Sequence, residues 1–241
     1  MTRTATATLA AALCLSAGFG LPAGALGEEV PTGGTAAPEP GAASPGTTGT
    51  EGGLRAARAA LLGRRQRVSG TVSGAAAGAT VLLQRSADTG WVTVATARAG
   101  GGGAFTATWR ADRAGRVTLR AVAGDGSAAR ASSAAPTAQT TVYRASIATH
   151  FGGGFYGSRT ACGIVLTRQT VGVAHKTLPC GTVLEFYYRG RTVRAPVVDR
   201  GPYANNAAWD LTMPASRALG FNGKDYVGAI TVGRVSLRRA R

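Results

Sequence analysis

Lysine is nearly absent from this 241-residue chain: of its 27 basic side chains only Lys176 and Lys224 are lysine, and the rest are arginine. Acidic residues are scarce too, 11 in all, which leaves a formal net charge of +16. Such an excess points to an anionic partner such as nucleic acid, membrane or cell wall, although a GC-rich genome writes the same Ala-, Gly- and Arg-heavy composition by codon bias. Aromatic residues make up only 6%. The hydrophobic 44% is inflated by Ala, so a core must come from a few Val- and Leu-rich stretches. That leaves room for one or two small domains and tails, not for a large enzyme.

A membrane-spanning stretch is also lacking. The apolar run Leu9 to Phe19 falls short of the ~20 residues a spanning helix needs, and Gly27-Glu28-Glu29 follows soon after it. With Arg3 before it and Ala23-Gly24-Ala25 after it, the run has the form of a signal peptide ending at residue 25. A lipoprotein is excluded, because Cys14 lies inside the apolar run and follows Leu13. The mature chain is therefore expected to be secreted, without a transmembrane segment.

Export decides how the three cysteines are read. Cys14 leaves with the signal peptide. Cys162 and Cys180 remain, and in an oxidising compartment a pair with no leftover reads as one disulfide rather than two free thiols. A metal site does not fit, since two sulfurs and two distant histidines lack zinc-ligand spacing. No cofactor is implied.

Residues 26–65 read as a disordered linker with a short basic segment. Gly27 to Gly53 has no aromatic residue and too little apolar surface to fold. Leu54 to Arg65 reads as a short helix exposing Arg55, Arg58, Arg64 and Arg65. From 66 to 142, five-residue β-like runs (Thr80 to Gln84, Trp91 to Ala95, Phe105 to Trp109, Arg116 to Arg120) alternate with turn material at Asp88-Thr89-Gly90, Gly100 to Gly103 and Asp112 to Gly115. That punctuation predicts a small antiparallel sandwich. The stretch resembles the immunoglobulin-like modules of bacterial surface proteins and offers no catalytic constellation. Ala131 to Thr141 reads as a second linker.

Residues 143–241 hold both mature cysteines, both histidines and 14 of the 27 basic residues. Thr182 to Tyr187 and Arg191 to Val198 read as a hairpin turning at Arg189-Gly190, and Ile230 to Leu237 as a last strand. A helix is expected from Thr212 or Met213, with Pro214 in its first turn and Gly220 as its stop. Phe155-Tyr156-Gly157, Thr160-Ala161-Cys162-Gly163, Ala174-His175-Lys176-Thr177-Leu178-Pro179, Val198-Asp199-Arg200-Gly201-Pro202-Tyr203, Trp209-Asp210-Leu211-Thr212 and Ala218-Leu219-Gly220 follow one another in an order that closely resembles the RlpA-like double-psi β-barrel family. The resemblance covers residues 145–238. It implies a six-stranded barrel with one or two short helices, which after the sandwich read from residues 66–142 makes the expected fold all-β. It also implies a lytic transglycosylase acting on peptidoglycan, a lyase that leaves 1,6-anhydromuramyl ends. Related barrels such as the expansins supply the alternative, a non-catalytic protein that binds or loosens wall polysaccharide.

The residues support this chemistry on their own terms. The domain has four carboxylates, Glu185, Asp199, Asp210 and Asp225. Glu185, in an alternating strand, and Asp225, in a polar turn, read as solvated. Asp199 ends an apolar strand at a Gly-Pro turn, a place where burial can raise its pKa or Arg200 can pair with it and lower it. A glycoside hydrolase usually needs two carboxylates, whereas a lytic transglycosylase manages with one, because the sugar's own C6 hydroxyl is the nucleophile. Asp199 is thus the expected acid/base. His175 is its expected catalytic partner, either shuttling a proton or holding the carboxyl. Tyr156, Thr160, Arg200, Tyr203, Trp209 and Asp210 are the expected substrate-binding set, with Asp210 either binding sugar hydroxyls or stabilising the following helix. The family commonly has Trp-Tyr where this chain has His150-Phe151, so a groove aromatic is expected to be missing. Expected partners are peptidoglycan glycan strands and anionic wall polymers rather than nucleic acid, bound by a monomer.

Overall fold

The structure, a computed structural model, describes residues 49–51, 53–124 and 135–237. The expected signal peptide, and the expected linker up to residue 48, lie outside the described residues. What is described is all-β apart from one α-helix and short 3-10 turns.

The first strands are β1 (Gly49–Glu51), β2 (Leu54–Ala56), β3 (Ala59–Leu61), β4 (Arg65–Thr71), β5 (Thr80–Ala87), β6 (Gly90–Arg98), β7 (Ala104–Arg110) and β8 (Gly115–Ala123). Each of the four expected β-runs lies in one of β5 to β8. β7 shows the cause most plainly. Phe105, Ala107 and Trp109 are buried and the residues between them exposed, the period of two that a half-buried strand imposes. Their core also takes Leu54, Val68, Leu83, Leu119 and Val142.

Two expectations are corrected here. Leu54 to Arg65 is not helical: Leu54, Ala56 and Ala60 are buried, Leu54 pairs with Gly70 across β2 and β4, and β3 runs parallel to β9. The helix propensity of Ala and Arg is worth tenths of a kcal/mol per residue, less than burying Leu54, which contributes about 1.5–3 kcal/mol. The second expected linker also fails in part, because β9 (Thr137–Phe151) begins within it. Ala138, Thr140 and Val142 point alternately inward, so this Thr-rich stretch is a strand.

β9 joins the two halves of the fold. Residues 137–142 pair with β8, whereas Arg144 to Ala148 pair with β14 (Asp225–Arg234). β10 (Val173–Ala174), β11 (Thr182–Tyr188), β12 (Arg191–Asp199) and β13 (Trp209–Thr212) complete the second half. The order β13-β10-β12-β11-β14-β9 returns to β13, which pairs in parallel with β9 from Ala148 to Phe151. The result is a closed six-stranded barrel. Leu184, Phe186, Val197, Leu211 and Leu219 fill it.

The β11–β12 hairpin turns at Arg189 and Gly190, both at positive φ (46° and 86°), as a two-residue turn between twisted strands requires. The helix α1 (Met213–Leu219) starts at Thr212, whose hydroxyl accepts the Ala215 N–H, and stops at Gly220 in the left-handed conformation (φ 70°). The last strand starts and ends earlier than its apolar residues suggested, because β14 takes its register from β11 and β9.

Glu185 is not solvated as expected. Its side chain is 13% exposed, accepts the Tyr143 hydroxyl at 2.8 Å and the Arg194 Nε–H at 2.9 Å, and lies where β9 passes into the barrel. Burial and the neighbouring carboxylate push the Tyr143 phenol well above its ordinary range. The Asp225 side chain is 41% exposed, as expected, and also accepts the Tyr188 hydroxyl at 2.8 Å.

Candidate active site

A cleft of about 320 Å³ opens at one end of the barrel, with Thr149, His150, Ala174, Asp199, Tyr203 and Asp210 among its lining residues. Three strands deliver its polar groups. Asp199 ends β12, and Ala174, at the end of β10, pairs with both Asp199 and Asp210. Asp210 pairs with Thr149 of β9. A larger depression of about 490 Å³ lies beside the cysteines, but Arg234 is its only charged lining residue and it has no carboxylate or imidazole. Asp199, Asp210 and the His150 imidazole all lie at the smaller cleft.

Asp199 is held by backbone. Its Oδ1 accepts the N–H of Ala161 at 2.9 Å and that of Arg200 at 2.8 Å. Among the described residues nothing donates to Oδ2. The Arg200 guanidinium does not pair with the carboxylate; it reaches the carbonyl oxygens of His175 and Asp199 itself at 3.5 Å.

His175 is fixed just as firmly. Its Nδ1 accepts the N–H groups of Thr177 at 3.1 Å and Leu178 at 2.9 Å, its own N–H donates to the Asp199 carbonyl at 3.2 Å, and its ring packs on Trp209 at 4.6 Å. Burial, together with the charges of Arg200 and Lys176, holds the imidazole below its ordinary pKa. With Nδ1 committed as an acceptor, the neutral ring carries its proton on Nε2. His175 itself is not among the residues that line the cleft, although its chain neighbour Ala174 and its backbone partner Asp199 are.

Asp210 is half-buried, and its Oδ1 accepts the Thr149 hydroxyl at 2.7 Å. Burial raises its pKa and the charge of Asp199 adds to the rise, against opposing contributions from Thr149 and His150. It does not stabilise the helix: Thr212 is the N-cap, and the first turn contains no acidic residue.

The aromatic residues divide. Tyr203 is 80% and Phe155 61% exposed, and both line the cleft, so exposed rings are present there despite His150-Phe151. Trp209 donates its indole N–H to Ser146 at 2.9 Å and supports His175 and Phe186; its ring is committed to that packing. Tyr156 lies outside the cleft lining, beneath the Arg168 guanidinium. His150 accepts the Gly223 N–H and packs edge-on against Phe221. Thr160 is 8% exposed, and its hydroxyl has no hydrogen-bond partner among the described residues.

Cys162 and Cys180 form a disulfide, with Cα atoms 5.7 Å apart. It joins the loop whose Ala161 N–H holds Asp199 to the loop whose Leu178 N–H holds His175. Sequence reading missed these backbone donors and Thr149. A backbone N–H leaves no mark in residue identity, and Thr149 meets Asp210 across 61 residues.

Comparison with known proteins agrees with this geometry. Residues 144–233 match the family model described as "Lytic transglycolase". Over 75 residues the chain is 43% identical to the "Probable endolytic peptidoglycan transglycosylase RlpA" of Aquifex aeolicus, covering 30% of this chain and 33% of that protein. It is 39% identical, also over 75 residues, to the "Endolytic peptidoglycan transglycosylase RlpA" of Campylobacter jejuni, covering 30% of this chain and 27% of that one. Among solved structures, the Streptomyces papain inhibitor is 26% identical, covering 35% of this chain and 91% of its own, with a TM-score of 0.27. The chain thus spans a third or less of the two curated relatives. Its carboxyl-terminal barrel, residues 144–233, matches the lytic transglycolase family.

Proposed function

We propose that the chain is an exported lytic transglycosylase that cleaves peptidoglycan glycan strands in the cleft, with Asp199 as acid and base. The observation that carries this reading is the placement of Asp199. It lies in a cleft flanked by exposed Phe155 and Tyr203, held at one oxygen by two backbone N–H groups while the other has no donor among the described residues.

In this reading the protonated Asp199 gives its proton to the glycosidic oxygen as the C1–O bond breaks. The C6 hydroxyl of the same sugar then bonds to C1 and returns its proton to the carboxylate, so no activated water is consumed. The internal nucleophile benefits from high effective molarity. His175 positions substrate or carboxyl through Nε2–H. Tyr203 and Phe155 offer ring faces to sugars, and Arg200 and Asp210 supply polar contacts, while the buried Thr160 supports the loop that holds Asp199. Tyr156 and Trp209 contribute by supporting the surrounding loops. The strands of residues 54–142 act as a spacer, an immunoglobulin-like sandwich, and the whole works outside the cytoplasm as a monomer.

The test is digestion of purified glycan strands with mass detection of 1,6-anhydro ends. Anhydro products from wild type and none from Asp199→Asn support the reading. Glycan binding without product would move the protein to the class of non-catalytic wall binders.

A further inference from the structure

Four arginines that have no carboxylate partner among the described residues share one face of the amino-terminal sheet. β7, β4 and β2 are hydrogen-bonded neighbours in that order. Val68 of β4, Trp109 of β7 and Leu54 and Ala56 of β2 are buried, which leaves Arg65, Arg67, Arg110 and Arg55 exposed on the opposite side. Register places Arg65 directly opposite Arg110, Arg67 opposite Thr108, and Arg55 opposite Ser69. Arg65 and Arg67, two residues apart, are about 6.6 Å apart along the strand. A stripe of guanidinium groups therefore crosses three strands, with two hydroxyls beside it.

Two other arginines of the same region are neutralised: Arg85 pairs with Asp112 at 2.8 Å and Arg113 with Asp88 at 2.7 Å. Among the described residues no ion pair reaches Arg55, Arg65, Arg67 or Arg110. The Arg110 Nε donates to the Gly63 carbonyl, which leaves its terminal nitrogens for a ligand. Like charges directly opposite in an antiparallel ladder oppose folding. Codon bias explains how many arginines the chain has, but not the gathering of these four on one face with no ion-pair partner among the described residues.

We propose that this face binds a linear polyol-phosphate polymer of the cell wall, its phosphodiesters bridging successive arginines, and so retains the enzyme on its substrate. The choice of a wall polymer rests on the peptidoglycan reading above. The planar guanidinium fork matches phosphate oxygens two at a time, and the Ser69 and Thr108 hydroxyls add donors. The open stripe, extending over three strands, suits an extended chain.

The experiment measures binding of the mature full-length protein to immobilised poly(glycerol phosphate) across a salt series. Four phosphate contacts on a flexible polymer predict a log–log slope near −3, an affinity loss of roughly 50-fold between 50 and 200 mM salt. Arg55→Gln/Arg65→Gln/Arg67→Gln/Arg110→Gln is expected to lose at least 10-fold in affinity at low salt. A charge-matched control, Arg116→Gln/Arg144→Gln/Arg217→Gln/Arg234→Gln, should keep most of it. Equal losses in the two variants would reduce the effect to net charge and overturn the proposal. Tighter binding of a single-stranded oligonucleotide of equal charge would overturn the wall polymer as occupant. Circular dichroism checks folding, and Arg65→Gln alone should raise the melting temperature at low salt, an increase that fades at high salt. Anhydro-sugar release by the same preparations keeps the two readings apart. Binding without cleavage sinks the catalytic reading alone, and cleavage without polymer binding sinks this one alone.

Discussion

The N–H of Ala161 donates to Oδ1 of Asp199 at 2.9 Å, across 38 positions of sequence. The residue after Ala161 is Cys162, bonded to Cys180, and two residues before Cys180 stands Leu178, whose N–H holds His175. One covalent link therefore connects the supports of both groups proposed to act on substrate.

Breaking that link should cost stability and rate separately. Closing a loop of 18 residues is worth about 3 kcal/mol in the chain-entropy model. The Cys162→Ala/Cys180→Ala protein should melt at lower temperature. Assayed well below its melting point, it should also release anhydro sugar more slowly than wild type, with the loss in kcat rather than KM. Unchanged kcat in the folded variant would leave the disulfide a stabilising role only.

Asp199→Asn preserves shape and one amide oxygen to accept the Ala161 and Arg200 N–H groups, but removes the proposed proton donor. Loss of general acid–base help typically lowers rates about 10²–10⁴-fold. Glycan binding and the unfolding midpoint should stay near wild type. Activity within a few-fold of wild type would falsify the assignment.

The lowered pKa of His175 has a defined sign for stability. Its folded value lies below the unfolded value, near 6.5, so the unfolded chain takes up the proton first as pH falls. The His175 environment should therefore carry no penalty above about pH 7, and stability should drop as pH falls through 6.5 toward the lower folded value. Urea unfolding of wild type and His175→Gln at several pH values between 5 and 7.5 measures this. The difference between them should change with pH in that window, and parallel curves would rule out His175 as the cause.

Glu185→Ala leaves the Tyr143 hydroxyl and Arg194 without their shared acceptor. A buried donor left unpaired costs about 1–3 kcal/mol, and chemical denaturation should show a loss of that size. Because Glu185 lies away from the cleft lining, kcat measured on folded protein should not change.

Local pattern made much of the barrel readable. The Arg189-Gly190 turn, the helix from Thr212 to Gly220 and the strands about the hairpin each depend on neighbouring residues, and each was found close to where sequence placed it. The errors fall where a distant partner decides. Leu54 to Leu61 has the composition of a helix, but β4 and β9 lie beside it and their ladders draw it into strands. Glu185 looks solvated in an alternating strand until Tyr143 and Arg194 close on it from two other strands.

The site divides in the same way. Sequence alone named the groups proposed for its chemistry: one acid at the end of an apolar strand, one histidine in a turn, and the cysteine pair Cys162 and Cys180. Tertiary structure decided how those groups are oriented. Nδ1 of His175 accepts because two amides of the next turn face it, Asp199 is held by an amide 38 residues away, and Trp209 supports His175 instead of facing the cleft. The physical reason is that side-chain type fixes which protons and charges a residue carries, whereas backbone donors are alike at nearly every position. Which of them meets a given carboxylate or imidazole is settled only when the barrel closes and brings separate loops together.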